Sequence, residues 1–171
     1  MNQRRKQQSG VALVEFTLAG IALIFLLICT FHLSIAMWNY HTLTYAVHET
    51  TRYACVKGVN CTKPGNTFSI TVGNIATKVQ TLAIGLQGPQ LSMTLTTDSG
   101  AQTSCSPLSN CLNSTTVWPP GTNTDNAVGK KISISAIYQY QSPMLFFWPG
   151  QTVQKFGSVW LPANSTQTIM F

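Results

Sequence analysis

Catalysis needs acids, bases, nucleophiles or metal ligands held close together, and this chain is poor in all of them. Charged residues make up 8% of its 171 residues, with only four Asp and Glu. Glu49, Asp98 and Asp125 are far apart in sequence, which leaves little material for a paired-carboxylate hydrolase. His41 and His48 share one face of a helix but are separated by roughly 10 Å of rise, too far to hold one metal ion. Asp125 beside Asn126 is thin ligation for calcium, a hard cation that takes six to eight oxygens. No Gly-rich phosphate loop, Gly-x-Ser-x-Gly elbow or His-Glu-x-x-His is present. No enzyme activity, metal or cofactor is expected.

The fourth carboxylate is the informative one. Glu15 is the only formally charged residue between Val11 and Trp38, a run of roughly 42 Å as a helix, enough for a ~30 Å hydrocarbon core. An ionised side chain in a bilayer costs a few kcal/mol and persists where a partner compensates it. If the leader Met1 to Gly10 were removed, the new α-amino group of Val11 would stand four residues before Glu15, a natural counter-ion. The leader's Arg4, Arg5 and Lys6 keep the N-terminus cytoplasmic and place residues 39–171 outside. Two plainer readings compete. A signal peptide could be cut after Ser34-Ile35-Ala36, but the apolar run far exceeds an ordinary h-region, and Glu15 would then have no purpose. An uncleaved anchor would tolerate Glu15 near the membrane end.

Gly10, Val11, Glu15 and Phe16 resemble the start of a type IV prepilin: a basic leader ending in glycine, then an apolar helix with glutamate at its fifth position and phenylalanine next. Gly-Val-Ala-Leu-Val-Glu-Phe is similar in particular to TadE-like pseudopilins of the tight-adherence pilus. The resemblance implies a prepilin peptidase that cuts between Gly10 and Val11, and a Glu15 that meets the N-terminal amine of a neighbouring subunit. It also implies partners among other pilin and pseudopilin subunits, an inner-membrane assembly platform and membrane lipid.

Outside that helix, export makes disulfides permissible. Cys55 and Cys61 are six residues apart, as are Cys105 and Cys111. Of the three possible connectivities the one with both local bridges, Cys55–Cys61 and Cys105–Cys111, is favoured, because each bridge clamps a polar Gly/Asn/Ser-rich loop. Neither spacing suits a zinc knuckle. Cys29, within the apolar run, reads as a small buried apolar residue. The net charge of +6 falls to +3 without the leader's three basic residues, and no basic stripe with interleaved aromatics suggests nucleic acid.

The first helix is expected to run on to about Val56, with Trp38 and Tyr40 at the outer membrane surface. A second helix reads from Thr67 to Leu86, capped by Asn66 and ended by Gly88-Pro89, with Gly73 and Gly85 weakening it. Period-2 alternation marks strands at Gln90 to Thr97, Lys131 to Tyr140 and Val159 to Phe171, the last interrupted near Pro162. Residues 98–129 read as a long polar loop, with room for a hairpin at Ser114 to Trp118. Trp118 within it, and Phe146, Phe147 and Trp148 between two prolines, are candidate surface contacts, although the contiguous rings suit a core lid better. The chain thus divides into a leader 1–10, a long helix 11–56 with its membrane part at about 11–38, and an extracytoplasmic domain 57–171. The fold class is α+β: a long transmembrane helix, a second helix and a three- to four-stranded antiparallel sheet.

The function expected is that of a minor pilin or pseudopilin, cleaved at Gly10, in the bacterial inner membrane and then in or beneath a tight-adherence pilus that mediates adhesion. The alternatives are a type II secretion-like pseudopilin and an uncleaved membrane-anchored binding or adhesion module that uses the 98–129 loop.

Overall fold

The structure, a computed structural model, describes residues 3–56, 70–141 and 158–170, with side chains from residue 12 onward. The chain divides into two compact units, Met1–Met37 and Trp38–Phe171. The first unit is helical. Helix α1 spans Gln3–Val56, and from Ala12 to Ile35 no residue is buried by protein. Hydroxyl groups in this apolar stretch bond back to their own helix: Thr17 donates to the Leu13 and Val14 carbonyls, Thr30 to Leu26 and Ser34 to Thr30. That leaves none of these hydroxyl donors unpaired on an apolar helix surface.

In the second unit the pattern on α1 changes. Leu43, Ala46, Val47, Thr50, Thr51 and Ala54 are buried at the three- and four-residue spacing of one helix face, while Thr44, Tyr45, His48 and Arg52 are exposed. Thr51 satisfies its buried hydroxyl on the Val47 carbonyl at 2.7 Å.

Helix α2 spans Val72–Leu82, shorter than the expected Thr67 to Leu86. Its cap is Thr71, whose side chain accepts from the Asn74 amide at 3.2 Å; the expected cap Asn66 lies outside the described residues. Ile70 and Thr71 are drawn out of the helix because they pair with another segment: Thr71 forms a bridge with Val117, and the Trp118 amide donates to the Ile70 carbonyl at 2.9 Å. The helix ends at Leu82, ahead of Gly88-Pro89, where Ala83 leaves helical geometry and Gly85 turns at φ +86°.

Four antiparallel strands form one sheet in the order β2-β1-β3-β4: β1 Leu91–Thr97, β2 Gln102–Cys105, β3 Lys131–Gln141 and β4 Ser158–Thr168. Alternate residues face the core, including Leu91, Met93 and Leu95 on β1 and Ile132, Ile134, Ala136, Tyr138 and Tyr140 on β3, all buried. Buried residues from α2 (Val72, Ile75, Ala76, Val79) complete the apolar set. Strand β4 is not broken at Pro162, which pairs opposite Ile137. An edge strand needs no donor on its outer side, so a proline is tolerated there.

The 98–129 segment is not a structureless loop. It supplies β2, closes the β1–β2 hairpin at Gly100 (φ +85°), and buries Cys105, Leu108, Trp118 and Asp125. The expected hairpin at Ser114 to Trp118 is replaced by pairing with α2: the Val72 and Gly73 amides donate to the carbonyls of Thr116 (2.8 Å) and Ser114 (3.1 Å). Those two amides belong to the first turn of α2, where no intrahelical acceptor exists.

Candidate assembly helix and outer domain

The residues singled out for processing and assembly all lie on α1. Gly10 and Val11 are inside the helix that begins at Gln3, and Glu15 stands one turn beyond Val11. Glu15 is exposed, Phe16 is 78% exposed, and among the described residues no cation pairs with Glu15. By length and composition, α1 is the one helix among the described residues able to cross a membrane.

Residues 10–52 match the family described as TadE-like protein. The match starts at the glycine on which the prepilin-like motif turns and includes Val11, Glu15 and Phe16. It ends within α1, so the second helix and the sheet lie beyond the TadE-like match. No curated protein and no solved structure matches the chain.

The outer unit holds the remaining candidates. Cys105 and Cys111 form a disulfide across six residues, as expected, with Leu108 buried in the turn it closes. Cys55, expected to pair with Cys61, carries a free thiol here, and Cys61 lies outside the described residues. Cys55 is on the buried face of α1, and burial pushes its thiol up to about 11, which leaves little thiolate for exchange. Cys29 lies in the apolar run of α1, half-covered by the helix's own side chains and with a free thiol.

Trp118 is corrected. It is 2% exposed, one of the largest side chains in the core, and not a surface contact. A Trp in a polar stretch offers far more apolar area than its neighbours, so it is the residue that anchors the segment to the core. Phe146, Phe147 and Trp148 lie outside the described residues.

Asp125 is a buried clamp, 1% exposed. Its carboxylate accepts from the Thr97 hydroxyl at 2.8 Å, the Ser99 amide at 3.1 Å and the Ser99 hydroxyl. These bonds, led by that from the Ser99 side chain, hold the carboxyl below the usual aspartate range. Beside it the Lys130 ammonium bonds the Asp98 carboxylate at 2.9 Å, which lowers Asp98 and raises Lys130. Together the two aspartates tie the β1–β2 turn to the segment that enters β3. Nothing in the sequence marked Asp125 for this role, because its three donors come from residues 26 and 28 positions away.

A cavity of about 220 Å³ lies between Glu49, Arg52, Tyr53, Val56 and Lys78. Its groups are mutually engaged: Arg52 pairs with Glu49 at 3.6 Å, and the Lys78 ammonium sits 5.5 Å from the Tyr53 ring centroid. Among the described residues no three His, Cys, Asp or Glu side chains come together as a metal site.

Proposed function

We propose that the chain is a minor pilin or pseudopilin of the tight-adherence type, made as a precursor, cleaved between Gly10 and Val11, and assembled through its N-terminal helix. The observation that carries this reading is the TadE-like match over residues 10–52, which coincides with the glycine, glutamate and phenylalanine of the prepilin-like motif. The uncovered apolar surface of α1 supports it, since lipid can cover that surface before assembly and neighbouring helices can cover it afterwards.

In this mechanism the work is packing. Cleavage exposes the Val11 amine at the level of Glu15. In a low-dielectric bundle an unpaired carboxylate is costly, so an incoming subunit settles at the axial position where its Glu15 meets an amine. The peptidase, the neighbouring subunits and the inner-membrane platform are the partners this requires, and the pilus so built serves adhesion. N-terminal sequencing of the protein recovered from membranes tests it. A start at Val11 is expected. An intact leader would turn the reading to an anchored binding module, and a start at Met37 to an ordinary secreted protein.

A further inference from the structure

The strand register creates a surface that no single strand displays. The face of the sheet opposite the core is exposed or half-exposed throughout, and antiparallel pairing sorts its side chains into rows. One row crosses all four strands as Gln102, Thr96, Ser133 and Thr166. The next crosses as Ser104, Thr94, Ser135 and Asn164. Neighbouring members are about 4.8 Å apart across strands, and rows about 7 Å apart along them. Each of these eight side chains can donate and accept, and some already do so sideways: Ser133 to Asn164 at 2.8 Å and Thr166 to Ser133 at 3.0 Å.

Beyond the second row the face becomes apolar on one side. Pro162 is opposite Ile137, which is 41% exposed, and one step further Trp160 is opposite Gln139. Trp160 is 58% exposed, a large ring left in solvent by a domain that buries Trp118. Charge is nearly absent: Lys131, opposite Thr168 at the far margin, is the only ionisable side chain in the rows from Lys131 to Gln139.

We propose that this face binds a neutral polysaccharide, with the Trp160 indole as the stacking platform and the two hydroxyl and amide rows as its hydrogen-bonding bed. Charge complementarity selects the occupant. A charged partner finds only Lys131, at the far margin, as a counter-ion on the face, and an apolar partner would desolvate two rows of polar groups without replacing their bonds. A chain of sugar rings offers what the face lacks: a C–H surface for the indole and a flat array of neutral donors and acceptors for the rows. The proposal stands apart from the pilus reading, because it uses only the outer sheet.

The test uses the full-length protein in a polyoxyethylene detergent, whose headgroup carries no sugar to compete. Depletion onto cellulose, chitin and cross-linked dextran is measured, with heparin resin as the charged comparison. The wild type is expected to bind at least one neutral polymer, and to do so equally at about 0.5 M salt, where charge attraction is screened within a few Å. Trp160→Ala is expected to weaken that binding about tenfold or more. Thr94→Val and Thr166→Val, which keep a β-branched shape, are expected to weaken it several-fold. Circular dichroism checks the fold of each, and if Trp160→Ala fails to fold, Trp160→Tyr and the two Val variants decide. Retention on heparin alone, no retention on any neutral polymer, or variants that bind as the wild type does would overturn the proposal. So would a wild type that binds no polymer and self-associates through Trp160, which would make the face a contact between copies.

Discussion

A methyl group added at position 73 is the sharpest probe of how the outer unit is built. Gly73 is the second residue of α2, where an exposed Gly→Ala change ordinarily stabilises by about 1 kcal/mol through helix propensity. Here a Cβ would lie 2.6 Å from the Ser114 carbonyl oxygen, 2.8 Å from that of Leu112 and 3.2 Å from the Ser114 amide. All three are backbone atoms and cannot rotate away, so the 112–116 segment must retreat. Retreat stretches the 3.1 Å bond from the Gly73 amide to Ser114 and the 2.8 Å bond from Val72 to Thr116. Overpacking of this kind costs about 1–3 kcal/mol, and each weakened backbone bond adds about 1 kcal/mol. The net expectation for Gly73→Ala is a loss of about 2–4 kcal/mol, or a melting temperature lower by roughly 6–16 °C for a unit of this size. Asn74→Ala, at the exposed neighbour, is the control and should be neutral or slightly stabilising. Thermal unfolding followed by circular dichroism in detergent reads both. A Gly73→Ala protein as stable as wild type would mean that the segment does not pack on α2 as described.

Three further outcomes are expected. Replacing Cys105 and Cys111 by Ser opens a six-residue loop and should cost about 2 kcal/mol in urea unfolding; an unchanged midpoint would make the bridge incidental. Because the folded protein holds Asp125 below the ordinary aspartate value of about 4, its contribution is fully present above about pH 4 and fades as the pH falls through the lowered value. Asp125→Asn should therefore be less stable than wild type at pH 7 and lose less on acidification, and parallel stability curves for the two from pH 7 to pH 2 would contradict the clamp. Glu15→Gln should insert into membranes at least as well as wild type yet co-purify poorly with other pilus subunits at matched membrane levels; equal recovery would leave Glu15 without a register role.

Local order along the chain was legible in the sequence, and long-range partnership was not. The first helix announced itself because apolar composition from Ile21 to Trp38 suits a helix that pairs its own backbone in an apolar phase, and no Gly or Pro interrupts the chain from there to Val56. The antiparallel sheet followed from period-2 alternation in three segments, and the Cys105–Cys111 bridge from its spacing, because residues that close have few places to go. What failed were inferences about where polar segments attach. Residues 98–129 lack any periodicity, so their pairing with Ile70, Val72 and Gly73, the burial of Trp118 and the Asp125 clamp were decided by surfaces that exist only once α2 and the sheet are in place. The start of α2 at Val72 was set in the same way, by Thr71 bridging to Val117. The rows on the solvent face need register, a property of pairs of strands. Sequence alone determined the first helix, the existence of the second and the three longer strands, because those depend on neighbours within a few residues. Tertiary structure decided which polar groups meet, because hydrogen-bond partners 26 to 45 residues apart are chosen by packing geometry and leave no local pattern to read.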